Sequence, residues 1–330
     1  MTSSAQRLAA VILSMLCCGA YAASLDTAYP AAYPSRPVRL VVAVPPGGAA
    51  DFTARIVAQK LTDALGQNLV VENRGGAGGT IASDIASKST PDGYTLLWSS
   101  VTTHGVGPVL YTKLPYDALR DFTHIGLAAS LPMIMVVHTS VPAASVKELI
   151  ALAKAKPNTL HFASSSSGSL PHLVGEMFRT STGAPIVHVP YKGSGPAVVD
   201  LAGGNVQIMF DAPPSLYGQI KAGRLRVIAS VYSKRSELFP EAPTLAELGF
   251  PRLEGVIWYG LSGPAGMPAG VVKRISDELQ KLLQLSDVRE RFGQQGAIPT
   301  PMTPQQYTAF IRAEIGKWGP VVKSSGAKVD

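Results

Sequence analysis

Val38-Arg39-Leu40-Val41-Val42-Ala43-Val44, then Pro45-Pro46-Gly47-Gly48-Ala49-Ala50-Asp51, then a helical pattern from Phe52: an apolar strand, a loop of small residues and the start of a helix follow one another. The same order recurs at Leu160-His161-Phe162-Ala163, where Ser164-Ser165-Ser166-Ser167-Gly168-Ser169 leads into a helix carrying Leu173, Val174, Met177 and Phe178. A loop of this kind presents backbone N–H groups without acceptors at the positive end of a helix, which holds an anion without a charged side chain. Two such loops facing each other would grip a carboxylate from both sides.

Working outward, strand-like and helical stretches alternate along most of the chain, which argues for an α/β protein with parallel sheets covered by helices. Strands are predicted at 38–44, 69–72, 94–98, 134–138, 160–163, 186–189, 206–210, 226–230 and 259–262. Helices are predicted at 53–65, 81–87, 146–156, 173–180, 196–202 and 217–222, and the C-terminal stretches 268–284 and 304–322 read as helical. Val271, Ile275, Leu279 and Leu282 recur at helical spacing and form a core-facing stripe. About 300 residues follow the leader, too many for one comfortable core, so two domains are expected. Exchange points near Leu127 to Pro132 and near Pro251 to Val256 would build the first domain from residues 33–130 and 252–330 and insert the second as 131–251. Two crossovers make a hinge.

Residues 1–23 have the form of a secretory signal: Arg7, an apolar run from Leu8 to Leu16, and Ala20-Tyr21-Ala22 with small-x-small spacing. The apolar run falls short of the roughly 20 residues that span a bilayer. Cys17 and Cys18, the only cysteines, lie inside this leader, so the exported chain could form no disulfide. Lipid attachment at a cysteine is the rival reading, for which Leu16 and Cys17 are poor preceding residues. With 46% hydrophobic and 15% charged residues the chain is globular. Its net charge of +7 comes from scattered basic residues. A nucleic-acid partner is not expected, and a mild attraction for small anions is compatible.

In sequence order, the chain also resembles the Bug-type periplasmic solute receptors of tripartite tricarboxylate transporters. The resemblance rests on Tyr33-Pro34-Ser35-Arg36-Pro37-Val38 running into the first loop, Val71-Glu72-Asn73-Arg74-Gly75-Gly76-Ala77-Gly78-Gly79, Pro91-Asp92-Gly93-Tyr94, Leu114-Pro115-Tyr116-Asp117, Ser145-Val146-Lys147-Glu148-Leu149, His188-Val189-Pro190-Tyr191-Lys192-Gly193 and Met209-Phe210-Asp211. It implies a periplasmic-binding-protein clamshell of type II-like form, with the ligand between two α/β domains. It also implies a carboxylate held by backbone groups and ordered waters from the two loops. Integral-membrane transporter subunits would be transient partners, and a receptor acting as a monomer in the periplasm is expected.

The expected ligand-binding residues are Pro46, Gly47, Gly48, Ala49, Asp51, Ser99, Ser100, His104, Ser164, Ser166, Gly168, Ser169, Tyr191 and Asp211. Several carry an alternative. Asp51 is either a first-turn carboxylate stabilised by its helix or a contact to ligand and water. His104 reads equally as a cleft residue and as a structural one, and the serine run as a site wall or a polar loop with one cap. Asp211 would select a ligand amino or hydroxyl group, or stabilise its loop. His172 fits packing or capping, and Lys192 a solvated charge.

The glycines at 75–79 fail the dinucleotide fingerprint because Ile81 stands where the last glycine belongs. They read as a structural loop near the cleft rim. No Walker lysine, H-E-x-x-H or G-x-S-x-G pattern occurs, so no cofactor, metal or catalytic residue is expected. The function that follows is a receptor for a small carboxylate, or a related aromatic or amide ligand, that it delivers to a membrane transporter without turnover. A secreted serine hydrolase using Ser169 and His172 is the alternative, and a pure interaction protein without cleft selectivity is a third.

Overall fold

The computed structural model describes residues 33–325; the expected leader, with Cys17 and Cys18, lies outside the described residues. The chain begins with β1 (Val38–Val42), α1 (Ala49–Leu65), β2 (Leu69–Asn73), α2 (Thr80–Ser87) and β3 (Thr95–Ser100). A π-helical turn at Val101–Val106 runs into α3 (Gly107–Leu110), and β4 (Phe122–Pro132) follows. Next come β5 (Ile134–His138), α4 (Val146–Ala155), β6 (His161–Ser164), α5 (Leu170–Thr182), β7 (Val187–Pro190), α6 (Ser194–Ala202), β8 (Ile208–Asp211), α7 (Pro213–Lys221) and β9 (Leu225–Ser230). The chain closes with β10 (Val256–Pro264), α8 (Ala269–Leu282), α9 (Ser286–Gly293), β11 (Ile298–Pro299) and α10 (Pro304–Ser325).

These strands form two sheets, ordered β11-β4-β10-β3-β1-β2 and β7-β6-β8-β5-β9. In the first, β1 lies parallel between β2 and β3, while β10 runs antiparallel between β3 and β4. In the second, β6 is parallel to β7 and β8, and β5 is antiparallel to β8 and β9. Strands 1, 3, 6, 7 and 8 therefore end on the edge of their sheet where the next helix or helical turn begins. This is the edge at which open α/β sheets take ligands. Each sheet with its helices makes one lobe, and the architecture is a two-lobed α/β clamshell.

The chain leaves the first sheet at Met133, between β4 and β5, and returns into β10 after Gly255. The two passages are laced together: Met133 N–H donates to Gly255 O at 2.9 Å, Gly255 N–H to Val231 O at 2.8 Å, and Val231 N–H to Met133 O at 2.8 Å. A Cβ on Gly255 would stand 2.7 Å from Met133 Sδ and 2.9 Å from Val174 Cγ2, so these side chains pack directly against the glycine.

Most predicted elements are present, with informative differences. Residues 127–132, where an exchange point is expected and no strand is predicted, are the second half of β4, an eleven-residue strand paired with β10. Its run Gly126-Leu127-Ala128-Ala129 has neither alternation nor β-branched residues because it is buried on both faces. Helix α1 starts at Ala49 rather than Thr53, and α5 at Leu170 rather than Leu173, each after a residue in extended conformation, Gly48 and Ser169. The small residues assigned to the loops thus include the first helical turn. The stripe Val271, Ile275, Leu279 and Leu282 is buried, and α8 packs on α1 and β4.

In the first lobe a buried carboxylate ties the last helix to the sheet. Glu314 Oε2 accepts the indole N–H of Trp258 at 2.8 Å and that of Trp318 at 3.0 Å. Truncating Glu314 to alanine leaves two buried donors without acceptors, at about 1–3 kcal/mol each. Glu314→Ala should therefore lower the midpoint of urea unfolding clearly, and Glu314→Gln, which keeps one acceptor oxygen, should lower it less. Equal midpoints for wild type and Glu314→Ala would refute this role.

Four histidines make stability depend on pH, His172 among them, held by burial below the ordinary imidazole value. Burial, reinforced by the neighbouring His124, holds His104 well below the ordinary imidazole value; burial brings His124 down to about 4. Burial and His172 bring His188 down to about 3. The unfolded chain takes up these protons near 6.5 while the folded chain refuses them, so stability is full above pH 6.5 and falls as pH drops toward 4 and 3. Asp211, raised to about 6, acts in the opposite sense between roughly 3.8 and 6, one group against four histidines. Melting temperature should decline from pH 7 to pH 5, and His124→Gln should flatten the decline. A rising melting temperature over that interval would contradict the assignment.

Candidate ligand-binding site

Between the lobes lies a cavity of about 130 Å³, walled by both sheets' strand-to-helix loops. Helix geometry leaves the N–H groups of Ala49, Ala50 and Asp51 without intrahelical acceptors. One is taken across the cleft, where Ala49 N–H donates to Ser215 Oγ of α7 at 3.2 Å. The lobes also meet where Gly193, at φ +115°, passes Pro45: a Cβ there would stand 3.0 Å from the proline ring. The cleft is closed over its cavity.

The first loop is braced from within. Asp51 Oδ2 accepts the Gly47 N–H at 3.2 Å, and Oδ1 accepts Arg55 Nε and Asn73 Nδ2, each at 3.0 Å. Asn73 Nδ2 also donates to Val44 O at 3.0 Å. Burial alone would raise the Asp51 carboxyl, but bonds from Arg55, Asn73 and Gly47 hold it below its ordinary value. Gly48, Ala49 and Ala50 line the cavity, whereas Pro46 and Gly47 are exposed outside it and Asp51 faces its brace.

The serine loop is held by a second set of bonds. Ser169 Oγ donates to Ser166 O at 2.7 Å and accepts the Ser166 N–H at 3.3 Å. Gly168, at φ +75°, donates its N–H to His172 Nδ1 at 2.9 Å, and the His172 ring stacks on His188 at 3.9 Å. Ser164 Oγ lies behind the loop, 2.9 Å from Ser166 O and 2.6 Å from His188 Nε2. Ser165, Ser166 and Ser169 line the cavity; Ser164 and Gly168 support them. The Ser169 hydroxyl is thus engaged with a carbonyl and the accepting nitrogen of His172 with a backbone N–H. Ser169 and His172 are therefore not paired with each other, and nothing supports the hydrolase reading.

On β3 adjacent residues point to opposite faces, so only one of two neighbouring serines can reach the cleft. Ser100 does, and its N–H is met by Thr103 Oγ1 at 3.1 Å. Ser99 turns into the first lobe, where its hydroxyl is 2.9 Å from Gly260 O, Ser262 Oγ and the Tyr307 hydroxyl. His104 is wholly buried against Phe122, Tyr116 and His124, with Nδ1 at 2.9 Å from Thr103 Oγ1. Of its two readings the structural one describes its surroundings.

Tyr191 lines the cavity with its ring while its hydroxyl donates to Asp200 Oδ2 at 2.7 Å. Asp211 ends β8 on the cavity wall, where burial pushes its carboxyl up to about 6 despite bonds from Ser194 and the Ala212 N–H. The expected site residues did not include Ser194, Trp98 and Tyr259, which also line the cavity. Gly193-Ser194 repeats the strand, small residue and helix-start order, which was the available signal. Trp98 and Tyr259 are strand residues whose facing comes from the packing of β3 against β10. Lys192 is exposed at the cavity rim, and residues 76–79, expected as a structural loop near the cleft rim, line the cavity itself.

The model of the family described as tripartite tricarboxylate transporter family receptor matches residues 53–327. Protein BugT of Bordetella pertussis is 41% identical over 326 residues, covering 98% of each chain. The structure of R. palustris Rpa4515 with adipate superposes with a TM-score of 0.87 at 34% identity, over 90% of this chain and 100% of that one. The periplasmic binding protein BugD superposes with a TM-score of 0.86 at 33% identity, over 90% of this chain and 99% of that one. With family model, sequence and clamshell all in agreement, this chain belongs to the tripartite tricarboxylate transporter receptor family, as a Bug-type solute receptor.

Proposed function

We propose that this receptor is exported to the periplasm, holds one small carboxylate-bearing solute in its cleft and hands it unchanged to integral-membrane transporter subunits. The observation that carries the reading is the closed cavity onto which the first turns of α1, α5 and α6 open from both lobes. Helix starts favour an anion by their orphan N–H groups and their dipoles, and neither needs a cationic side chain at the ligand. The adipate in the related Rpa4515 structure supports a carboxylate as the class. At about 130 Å³ the cavity is well below the roughly 300–1,000 Å³ of sites for drug-sized molecules, which favours a small acid. Trp98 and Tyr259, stacked 6.2 Å apart, offer its carbon skeleton an apolar wall.

In this reading the lobes are residues 33–130 with 252–330, and 131–251, and they open about the laced strands at Met133 and Gly255. Gly48, Ala49, Ser100, Ser166, Ser169 and Tyr191 face the ligand. Pro46, Gly47, Asp51, Ser99, His104, Ser164 and Gly168 act behind them by shaping the loops and the wall. The protein works as a monomer whose closed form is what the membrane partner reads.

Calorimetry on a panel of small carboxylates should give saturable binding of one acid per chain, with the ligand recovered unaltered by chromatography. Conversion of the ligand would reject the receptor reading. Gly48 has an ordinary φ of −103°, and a Cβ there would stand 3.6 Å from Ser194 Cβ and 3.9 Å from Ser215 Oγ. Gly48→Val should therefore keep the fold while its branched methyls fill the space between the lobes. Affinity should drop by about a hundredfold or more, roughly 2.7 kcal/mol, with little change in the ligand-free melting temperature. Wild-type affinity in this variant would remove the first loop from the site. Gly168→Val is the poorer probe, since positive φ strains any substituent whatever the ligand does.

A further inference from the structure

Asp211 is 1% exposed, and among the described residues it has no cationic partner. Its Oδ2 accepts Ser194 Oγ–H at 2.6 Å and its Oδ1 accepts the Ala212 N–H at 2.7 Å. A carboxylate has about four acceptor sites, so roughly two remain. Buried charges are ordinarily paired, and burying this one without a countercharge costs stability that an amide or apolar residue would not cost. Burial has accordingly pushed its carboxyl up to about 6.

The cavity supplies the context. Asp211 and Ser194 stand on its second-lobe wall, and Tyr259 enters from β10 of the first lobe. The Tyr259 hydroxyl has no hydrogen-bond partner among the described residues, it lines the same cavity as Asp211, and burial and the charge of Asp211 both raise its pKa. Across the same cavity lie the N–H groups of the first loop, which suit an anion. One cavity therefore holds an anion-seeking end and, around Asp211, an end that seeks hydrogen-bond donors and repels a second negative charge.

We propose that Ser194, Asp211 and Tyr259 form a donor-recognising subsite, and that the physiological ligand is a small carboxylic acid bearing a hydroxyl or amino group, in preference to a plain acid or to one with a second ionised carboxylate at this end. Asp211 accepts the ligand's O–H or N–H, Ser194 holds the carboxyl in position, and Tyr259 completes the contact from the opposite lobe. The proposal rests on the carboxylate reading of the cleft and narrows it.

The test is calorimetry at pH 7.5 with butyrate, 3-hydroxybutyrate, 4-aminobutyrate, succinate and the primary amides of the first three, on the full mature chain and on Asp211→Asn and Tyr259→Phe. The wild type should bind the better of the hydroxy and amino acids at least about tenfold more tightly than butyrate and succinate, 1.4 kcal/mol. Asp211→Asn, nearly isosteric and uncharged, should erase most of that preference while leaving butyrate within about threefold, and should improve succinate. Tyr259→Phe should lower the preference by a smaller factor. An equal preference in wild type and Asp211→Asn, or succinate as the tightest ligand of the wild type, would overturn the subsite. If the donor-bearing amides bind and the acids do not, the carboxylate reading fails and the subsite stands. If neither series binds, both are overturned.

Discussion

A helix that begins where a strand ends leaves its first N–H groups without acceptors, and the clamshell depends on repeating this junction on one edge of each sheet. Because β1 and β6 run into α1 and α5 through loops of small residues, and β7 runs into α6 through Tyr191-Lys192-Gly193, the orphan donors gather in the gap between the sheets. Large side chains at Gly48, Gly193 or Ser194 would hold the lobes apart; small ones let backbone approach backbone. The anion-binding character of the cleft thus follows from chain direction and residue size. It is independent of the chain's scattered positive charge.

Such loops must be held in shape, and most of the polar side chains near them are occupied in doing so. Asp51 with Arg55 and Asn73 braces the first loop, and the Ser164, Ser169, His172 and His188 set braces the second. Both sets hold functional geometry by satisfying the backbone that carries it, leaving the cavity surface to main-chain groups and short hydroxyls. Asp211 is the exception: it spends stability on the cavity wall and receives no countercharge for it. The laced strands at Met133, Val231 and Gly255 serve a different end, since they join the two passages between the lobes at one seam.

Much of this was legible in the residues, and the limits have physical causes. Strands with alternating or β-branched sequence, such as β1 and β9, were readable, whereas β4, buried on both faces and rich in alanine and glycine, was not. The two loops opened the reading correctly as strand-to-helix junctions, but the helices begin within the small-residue runs, directly after the extended Gly48 and Ser169. Ser99 and His104 follow the right strand and yet face inward. Strand alternation forbids Ser99 from sharing the cleft with Ser100, and the wide turn after β3 carries His104 into an aromatic pack.

What the sequence by itself determined is the alternation of strands and helices, the small-residue loops that make anion-binding helix starts, the absence of catalytic and nucleotide patterns, and the ordered motifs of a receptor family. These are local properties, written in the spacing and size of neighbouring residues. Only the tertiary structure decided that Ser194, Tyr259 and the glycine wall at residues 76–79 share a cavity with them, that Asp51 is a brace, and that Asp211 lies buried without a countercharge. Those outcomes depend on residues far apart in the chain meeting across a cleft, and no local pattern records which face of one lobe closes on the other.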